Sequence, residues 1–407
     1  MLSESEESQP VGPPEFDPFS STFFNDPYPL YRRLRDEAPV YFSEQYGFWA
    51  LSRYEDVVAA TRDWETYSST KGVDLVMLRS GETPPPSMIM MDPPEHHRMR
   101  LLVSKIFSPH AIGELEPMVR EVIGSVLDDL TDRKDFDAVG DFAGPFPVEI
   151  ISRMLGIPVE DRQRIRHWAD SFLHREVGAT EYGDQALRSM LEFATYLYEL
   201  VTEKRQRPAD DMLSRLCSAE VAREDGVTTA LDDVEITGFA MLLAAAGAET
   251  VTKLVANAIV LFARNPAEWQ KVLTDKDRLP AAVEEILRYW PPSQYQGRFS
   301  MRERTFCDTT IPAGQPILLL TGAATRDERA FADPDRFNVD RKPGLAIGFG
   351  HGIHTCLGAA LARMESRIAI EEWARRWPRF AIDEGGLRRV QMANVAGFSS
   401  VPVAVGV

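Results

Sequence analysis

Phe349-Gly350-His351-Gly352-Ile353-His354-Thr355-Cys356-Leu357-Gly358 sets one cysteine among glycines at the expected start of a helix. A helix N-terminus and free backbone N–H groups stabilise negative charge, so Cys356 here can be a thiolate. Gly350, Gly352 and Gly358 let the backbone bend tightly and approach a large flat ligand. A buried structural cysteine on a glycine turn would explain a lone cysteine, but not the whole ten-residue pattern. A thiolate held this way is a suitable axial ligand for heme iron.

Outward from that run, composition narrows the choices. The chain has 407 residues, 44% hydrophobic and 26% charged, with a net charge of -17. Such acidity argues against nucleic acid as the main partner, because phosphate binding needs a basic face. Its three cysteines, Cys217, Cys307 and Cys356, are widely spaced and form no CxxC pair. They predict a reducing, cytoplasmic setting and no disulfide framework. The first twenty residues are acidic and proline-rich and lack the features of a signal peptide. Ile236 to Ala248 reads as too short to span a bilayer.

Along the chain, residues 1–17 read as a flexible arm and 18–407 as a single domain. Helices are expected from Pro27 to Glu37 and from Tyr54 to Thr61, with a strand at Phe48–Leu51 between them. Lys71 to Pro86 combines Gly, Ser and three consecutive prolines with apolar residues, which suggests a packed functional loop. Several helices follow from Pro94 to Glu203, and Pro208 to Thr229 reads as a surface excursion. Asp232 and Glu235 resemble a capping box, opening a helix that runs to Arg264 with an apolar, buried middle. Another helix spans Pro280 to Tyr289 and ends at Pro291-Pro292. Short strands are expected near Phe306-Cys307, at Pro316 to Leu320 and after Val390. The fold class is therefore mainly α with a minor β portion.

Chemistry-bearing groups recur on this frame. In Ala246-Gly247-Ala248-Glu249-Thr250, small residues one turn before an acid and an alcohol create a groove in a buried helix. Thr250 could hold water there and Glu249 could relay protons. Glu285 and Arg288 lie at i, i+3 and can pair. Arg336, in Pro334-Asp335-Arg336-Phe337, could complete a charge-assisted network with them. His96 and Arg100 sit one turn apart, after a proline-marked helix start. With Arg298 and His354 they could bind carboxylates.

These residues together resemble the cytochrome P-450 superfamily of heme-thiolate monooxygenases, over nearly the whole chain. FGHGIHTCLG looks like the heme-binding signature, AGAET like the oxygen-activating segment, and EILR like the Glu-x-x-Arg pair. DPPEHHRMR and PDRF look like further motifs of the family in the expected order. The resemblance implies heme b between the long central helix and the Cys356 loop. It makes Cys356 the iron ligand and His96, Arg100, Arg298 and His354 the propionate-binding positions. Ala246, Phe349 and Gly358 complete the expected cofactor-binding set. Glu249 and Thr250 match the proton-delivery pair, and Glu285, Arg288 and Arg336 the structural triad.

The implied reaction inserts one oxygen atom of O₂ into a lipophilic small molecule by hydroxylation or epoxidation. Electrons would come from NAD(P)H through a reductase and a ferredoxin. Two other readings stay open: a peroxide-driven or radical-coupling heme-thiolate oxidase, and a non-catalytic heme sensor or carrier. Glu249-Thr250 argues against both. The resemblance places Met77, Leu242, Ala245, Gln294, Tyr295 and Phe398 in the substrate pocket. A ferredoxin is expected to dock behind Cys356 on Arg98, Lys105 and Arg363.

Overall fold

A computed structural model describes residues 12–82, 87–104, 106–222, 226, 228–342 and 344–406. Its axis is the helix Asp233–Arg264. Asp232 accepts from the Glu235 N–H at 2.8 Å and Glu235 reaches back to the Asp232 N–H at 3.1 Å, so the expected capping box forms. The helix stops at Asn265, before Pro266. At 1.5 Å per residue it is about 48 Å long. By length and composition it could cross a membrane, which corrects the reading of a shorter apolar run. Twenty of its residues are instead buried in protein.

The burial is uneven, and the unevenness positions the site. Val251 to Phe262 is buried on every side. Leu242 and Ala245 are half-buried and Ala246 is exposed. The expected buried middle therefore presents an open face, and full burial begins one turn later. Helices Pro145–Leu155, Arg162–Leu173, Asp184–Gln206 and Ala359–Arg376 pack around the central helix. Trp373 anchors the core below it, with ring centroids 5.6 Å from Phe142 and 4.9 Å from Trp377.

The principal sheet has five strands: β1 (Val40–Ser43), β2 (Phe48–Leu51), β3 (Tyr67–Ser68), β4 (Gln296–Ser300) and β5 (Pro316–Leu319). Their order is β1-β2-β5-β4-β3. β5 runs parallel to β2 and antiparallel to β4, with Ile317 opposite Arg298. That register fixes Arg298 on an interior strand, paired on both sides. A second core of Phe16, Phe19, Phe23, Tyr31 and Phe48 packs on the sheet. The arm expected to reach residue 17 is therefore docked from Pro14 onward, because Phe16 is buried between Phe23, Tyr31, Tyr41 and Phe48.

Two other segments are more ordered than expected. Asp74 caps a short helix, Leu75–Ser80, inside the predicted long loop. Its apolar residues Leu75, Val76 and Leu78 fill the second core, and residues 83–86 lie outside the described residues. Within the predicted surface excursion, Asp211 caps the helix Met212–Cys217, which buries Met212, Leu213 and Leu216. The strand expected near Phe306-Cys307 runs Arg304–Phe306, and Cys307 takes a positive φ in the following turn.

Candidate functional site

The helix Ala359–Arg376 begins at the Gly358 cap, so Cys356 lies just ahead of its first turn. The Cys356 N–H donates to the Phe349 carbonyl at 2.8 Å and closes the loop on itself. Gly350 and Gly352 both take positive φ, at 72° and 73°. A side chain at Gly352 would collide with the Thr61 carbonyl. Both positions thus need glycine, as the sequence suggested.

Cys356 is an exposed residue although protein surrounds it. Burial pushes the thiol up, while the Gly358 N–H and the charges of Arg100 and Arg363 pull it down. The two other cysteines have different settings. Cys217 is buried and its sulfur reaches the Val201 carbonyl, and Cys307 stands exposed on its turn. Phe349 is half-buried beneath the Arg363 guanidinium, 4.6 Å from the ring centre.

Beside this loop the four expected anion-binding residues converge. The His96 and His354 rings lie 4.4 Å apart. His354 contacts the Ser69 hydroxyl at 3.1 Å. Burial, then the Arg100 charge, pulls His96 down to about 4. Burial, then the charges of Arg298, His96 and Arg100, pulls His354 down to about 2. Arg100 donates to the Thr355 carbonyl at 2.6 Å, and Arg298 to its neighbour's carbonyl, Gly297, at 2.7 Å. Burial pulls Arg298 down to about 10. Neither arginine forms an ion pair among the described residues, and both His96 ring nitrogens lack a partner. Buried polar groups normally find partners. This cluster of donors therefore suits a ligand carrying carboxylates.

On the central helix, Thr250 bonds back to the Ala246 carbonyl at 2.7 Å and stays half-buried on the open face. Glu249 is 1% exposed and pairs with Lys253 at 2.8 Å. The acid and the alcohol thus leave the helix on different sides.

The expected structural triad needs a correction. Arg288 holds Glu285 bidentately, at 2.7 and 2.9 Å, and donates to the carbonyls of Thr325 and Pro334. The third side chain is Arg341, whose Nε lies 3.0 Å from Glu285 Oε2. Arg336 is exposed and contributes only its carbonyl, which accepts from Arg341 at 2.9 Å. Both arginines occupy one polar loop, and spacing alone cannot say which of them turns inward.

Three pocket expectations also fail. Gln294 is 1% exposed and donates to the Pro291 carbonyl at 2.7 Å. Tyr295 is buried in the second core with its ring 6.1 Å from Phe23. Phe398 is buried against Trp290, at 5.9 Å. All three satisfy packing in the walls. Met77, Leu242 and Ala245 remain partly accessible.

The docking residues divide similarly. Arg98 is tied to Glu95 and Glu235, both at 2.8 Å, and is not a free surface charge. Lys105 lies outside the described residues. Arg363 is 43% exposed and pairs with Glu284.

A family model described as cytochrome P450 matches residues 178–377. Cytochrome P450 123 of Mycobacterium tuberculosis is 44% identical over 400 residues, covering 97% of this chain and 98% of the relative. This chain belongs to the cytochrome P450 family. The erythromycin C-12 hydroxylase of Saccharopolyspora erythraea is 37% identical, covering 92% of this chain and 93% of that one. The crystal structure of CYP109E1 from Bacillus megaterium with testosterone superposes with a TM-score of 0.86 at 32% identity, covering 94% of this chain and 98% of that one. The chain is thus a cytochrome P450 monooxygenase, and its cofactor is iron protoporphyrin IX heme. The residues fit that group. The exposed Cys356 stands on a glycine loop, with the buried, partnerless ring of His96 and the ion-pair-free Arg100 and Arg298 beside it.

Proposed function

We propose that this cytochrome P450 hydroxylates a bulky lipophilic small molecule, with Cys356 ligating the heme iron. The observation that carries the assignment is the exposed Cys356 beside His96, Arg100, Arg298 and His354, where both His96 ring nitrogens lack a partner and neither arginine has an ion pair among the described residues. Heme ligated by a thiolate supplies the power to cleave O₂ and transfer one oxygen atom. Arg100, Arg298, His96 and His354 hold the propionates. Leu242, Ala245 and Ala246 form the open face above, where a substrate can lie, and Met77 contributes from the short helix nearby. Their apolar character excludes water and favours a lipophilic ligand. One similar protein is named as an erythromycin hydroxylase and another was solved in complex with testosterone, which supports a large lipophilic substrate here.

Thr250, whose hydroxyl proton goes to the Ala246 carbonyl, accepts from a water at the open face, and Glu249 replenishes the proton that water gives up. Electrons come from NAD(P)H through a reductase and a ferredoxin in the cytoplasm. Arg363, stacked on Phe349 of the cysteine loop, is the docking charge nearest the sulfur in sequence. The single domain expected from residue 18 takes in the chain from Pro14, where it first packs on the second core.

The test combines three assays on the purified holoenzyme. A compound panel is screened for spectral shifts of ferric heme, and hits are turned over with NADPH, reductase and ferredoxin, or with peroxide alone. Product with the redox chain supports the proposal. Product only with peroxide would instead make the enzyme peroxide-driven, and no product under either condition would point to a sensor or carrier.

Thr250→Ala is expected to keep heme content and substrate affinity. It should lower product per NADPH by roughly tenfold, diverting electrons to peroxide or water. Unchanged product per NADPH would remove Thr250 from proton delivery.

Arg298→Ala is expected to speed heme loss by about tenfold, as read by transfer to a heme-scavenging protein, because a charge-assisted contact to a propionate is removed. Arg298→Lys should recover part of the retention. Equal loss rates in all three proteins would contradict the propionate role.

A further inference from the structure

Glu249 cannot collect protons directly, since it is 1% exposed. Its neighbours across the helix crossing decide how it is supplied. Helix Arg162–Leu173 brings Asp170 against it, and the two carboxyls lie within hydrogen-bond reach. Asp170 Oδ1 is sealed from solvent with no protein donor, and Glu249 Oε2 is sealed too. Yet 39% of the Asp170 side chain is accessible. One carboxyl thus has a face toward Glu249 and another surface that water can reach.

Two carboxyl groups in contact share a proton, because two adjacent anions repel. The cations around them are unequal. The Lys253 ammonium lies 2.8 Å from Glu249 Oε2, whereas the nearest cation to Asp170, Arg166, is 3.9 Å away. Lys253 is buried, and Gly397 lies against its stem, where an added Cβ would sit 2.6 Å from Lys253 Cβ. Its ammonium is thereby held on Glu249. The anion belongs on Glu249 and the proton on Asp170.

We propose that Asp170 is the positioning residue that stores the proton for Glu249 and passes it across their hydrogen bond. This rests on the reading of Glu249 and Thr250 as the proton-delivery pair. In the transfer, the Asp170 O–H bond breaks as a Glu249 O–H bond forms, and water then reprotonates Asp170. No electron moves. The charge balance agrees: burial, then the Glu249 hydrogen bond and charge, pushes Asp170 up to about 8, against the pull of Lys253 and Arg166. For Glu249, the Lys253 charge and the Asp170 hydrogen bond overcome burial and hold it below the usual range.

Infrared spectra of the holoenzyme in the carbonyl-stretch region of protonated carboxyls test the location of the proton. A band present at pH 7 should titrate away near pH 8. It should vanish in Asp170→Asn, persist in Asp170→Glu, and titrate at lower pH in Glu249→Gln. Glu365, buried without a partner for Oε2 and pushed well up by burial, supplies a constant background for difference spectra. A band that survives in Asp170→Asn and vanishes in Glu249→Gln puts the proton on Glu249 and overturns the proposal. Absence of any titrating band overturns it as well.

Turnover tests the transfer. Asp170→Asn should slow product formation by about tenfold or more with an increased solvent isotope effect, and Asp170→Glu should restore most of it. Unchanged turnover and isotope effect in Asp170→Asn would overturn the relay even with the band assigned. Failure of the underlying reading looks different: Glu249→Gln and Thr250→Ala would leave product per NADPH unchanged, whatever the spectra show.

Discussion

Cys356→Ser is expected to abolish the ferrous–carbon monoxide Soret band characteristic of thiolate-ligated heme, and monooxygenase turnover with it. A serine hydroxyl is not ionised at neutral pH and cannot replace the thiolate. The loop should still close, because the bond from the residue 356 N–H to the Phe349 carbonyl is a backbone contact. Cys217→Ser and Cys307→Ser should keep the band. The first cysteine is buried in the core beside Val201, and the second stands on an exposed turn. The measurement is a reduced, carbon-monoxide-treated spectrum of each variant at equal heme content. If Cys356→Ser keeps the band while either other variant loses it, the ligand has been misassigned.

Arg288→Ala is expected to cost about 3–5 kcal/mol of stability, the usual result of stranding one partner of a buried ion pair. Arg288 is 6% exposed and Glu285 is 3% exposed. The Glu285 carboxylate would lose two charge-assisted hydrogen bonds, and the Thr325 and Pro334 carbonyls would lose their guanidinium donor. The path from Thr325 to Arg341, which precedes the cysteine loop, would lose its anchor. Arg341→Ala should have a smaller effect in the same direction, since Glu285 keeps Arg288 and the Asn338 N–H at 2.9 Å. Arg336→Ala should be nearly neutral because only its carbonyl takes part. Urea unfolding with heme content as a second probe ranks the three. Equal losses for Arg336→Ala and Arg341→Ala would contradict the inward role given to Arg341.

The contrast between those two arginines shows what a sequence can reveal. The cysteine loop, the central helix and the Glu285–Arg288 pair were legible because each is local. Glycines at required backbone angles, an Asp–Glu cap and an i, i+3 spacing carry their geometry with them. Arg341 was not legible, because its choice over Arg336 depends on how a loop folds back. The pocket was only partly legible. Leu242 and Ala245 came from the family resemblance, since the apolar pattern alone would have buried them, and Gln294, Tyr295 and Phe398 turn into neighbouring packing that no local pattern records. Asp170 gave no signal at all. It reaches Glu249, far along the chain, solely through the crossing of two helices.

The contact of Gly397 with the Lys253 stem bears on attempts to retune this enzyme. Residue 397 lies between Ala396 and Phe398, in the segment from which the expected pocket residue Phe398 turned into the wall. Its φ of 157° and the absence of room for a Cβ mean that larger residues will push the lysine. The lysine in turn balances Glu249. Variants selected there for altered selectivity will therefore also change how efficiently reducing equivalents become product. Screens that score conversion alone will mistake one effect for the other.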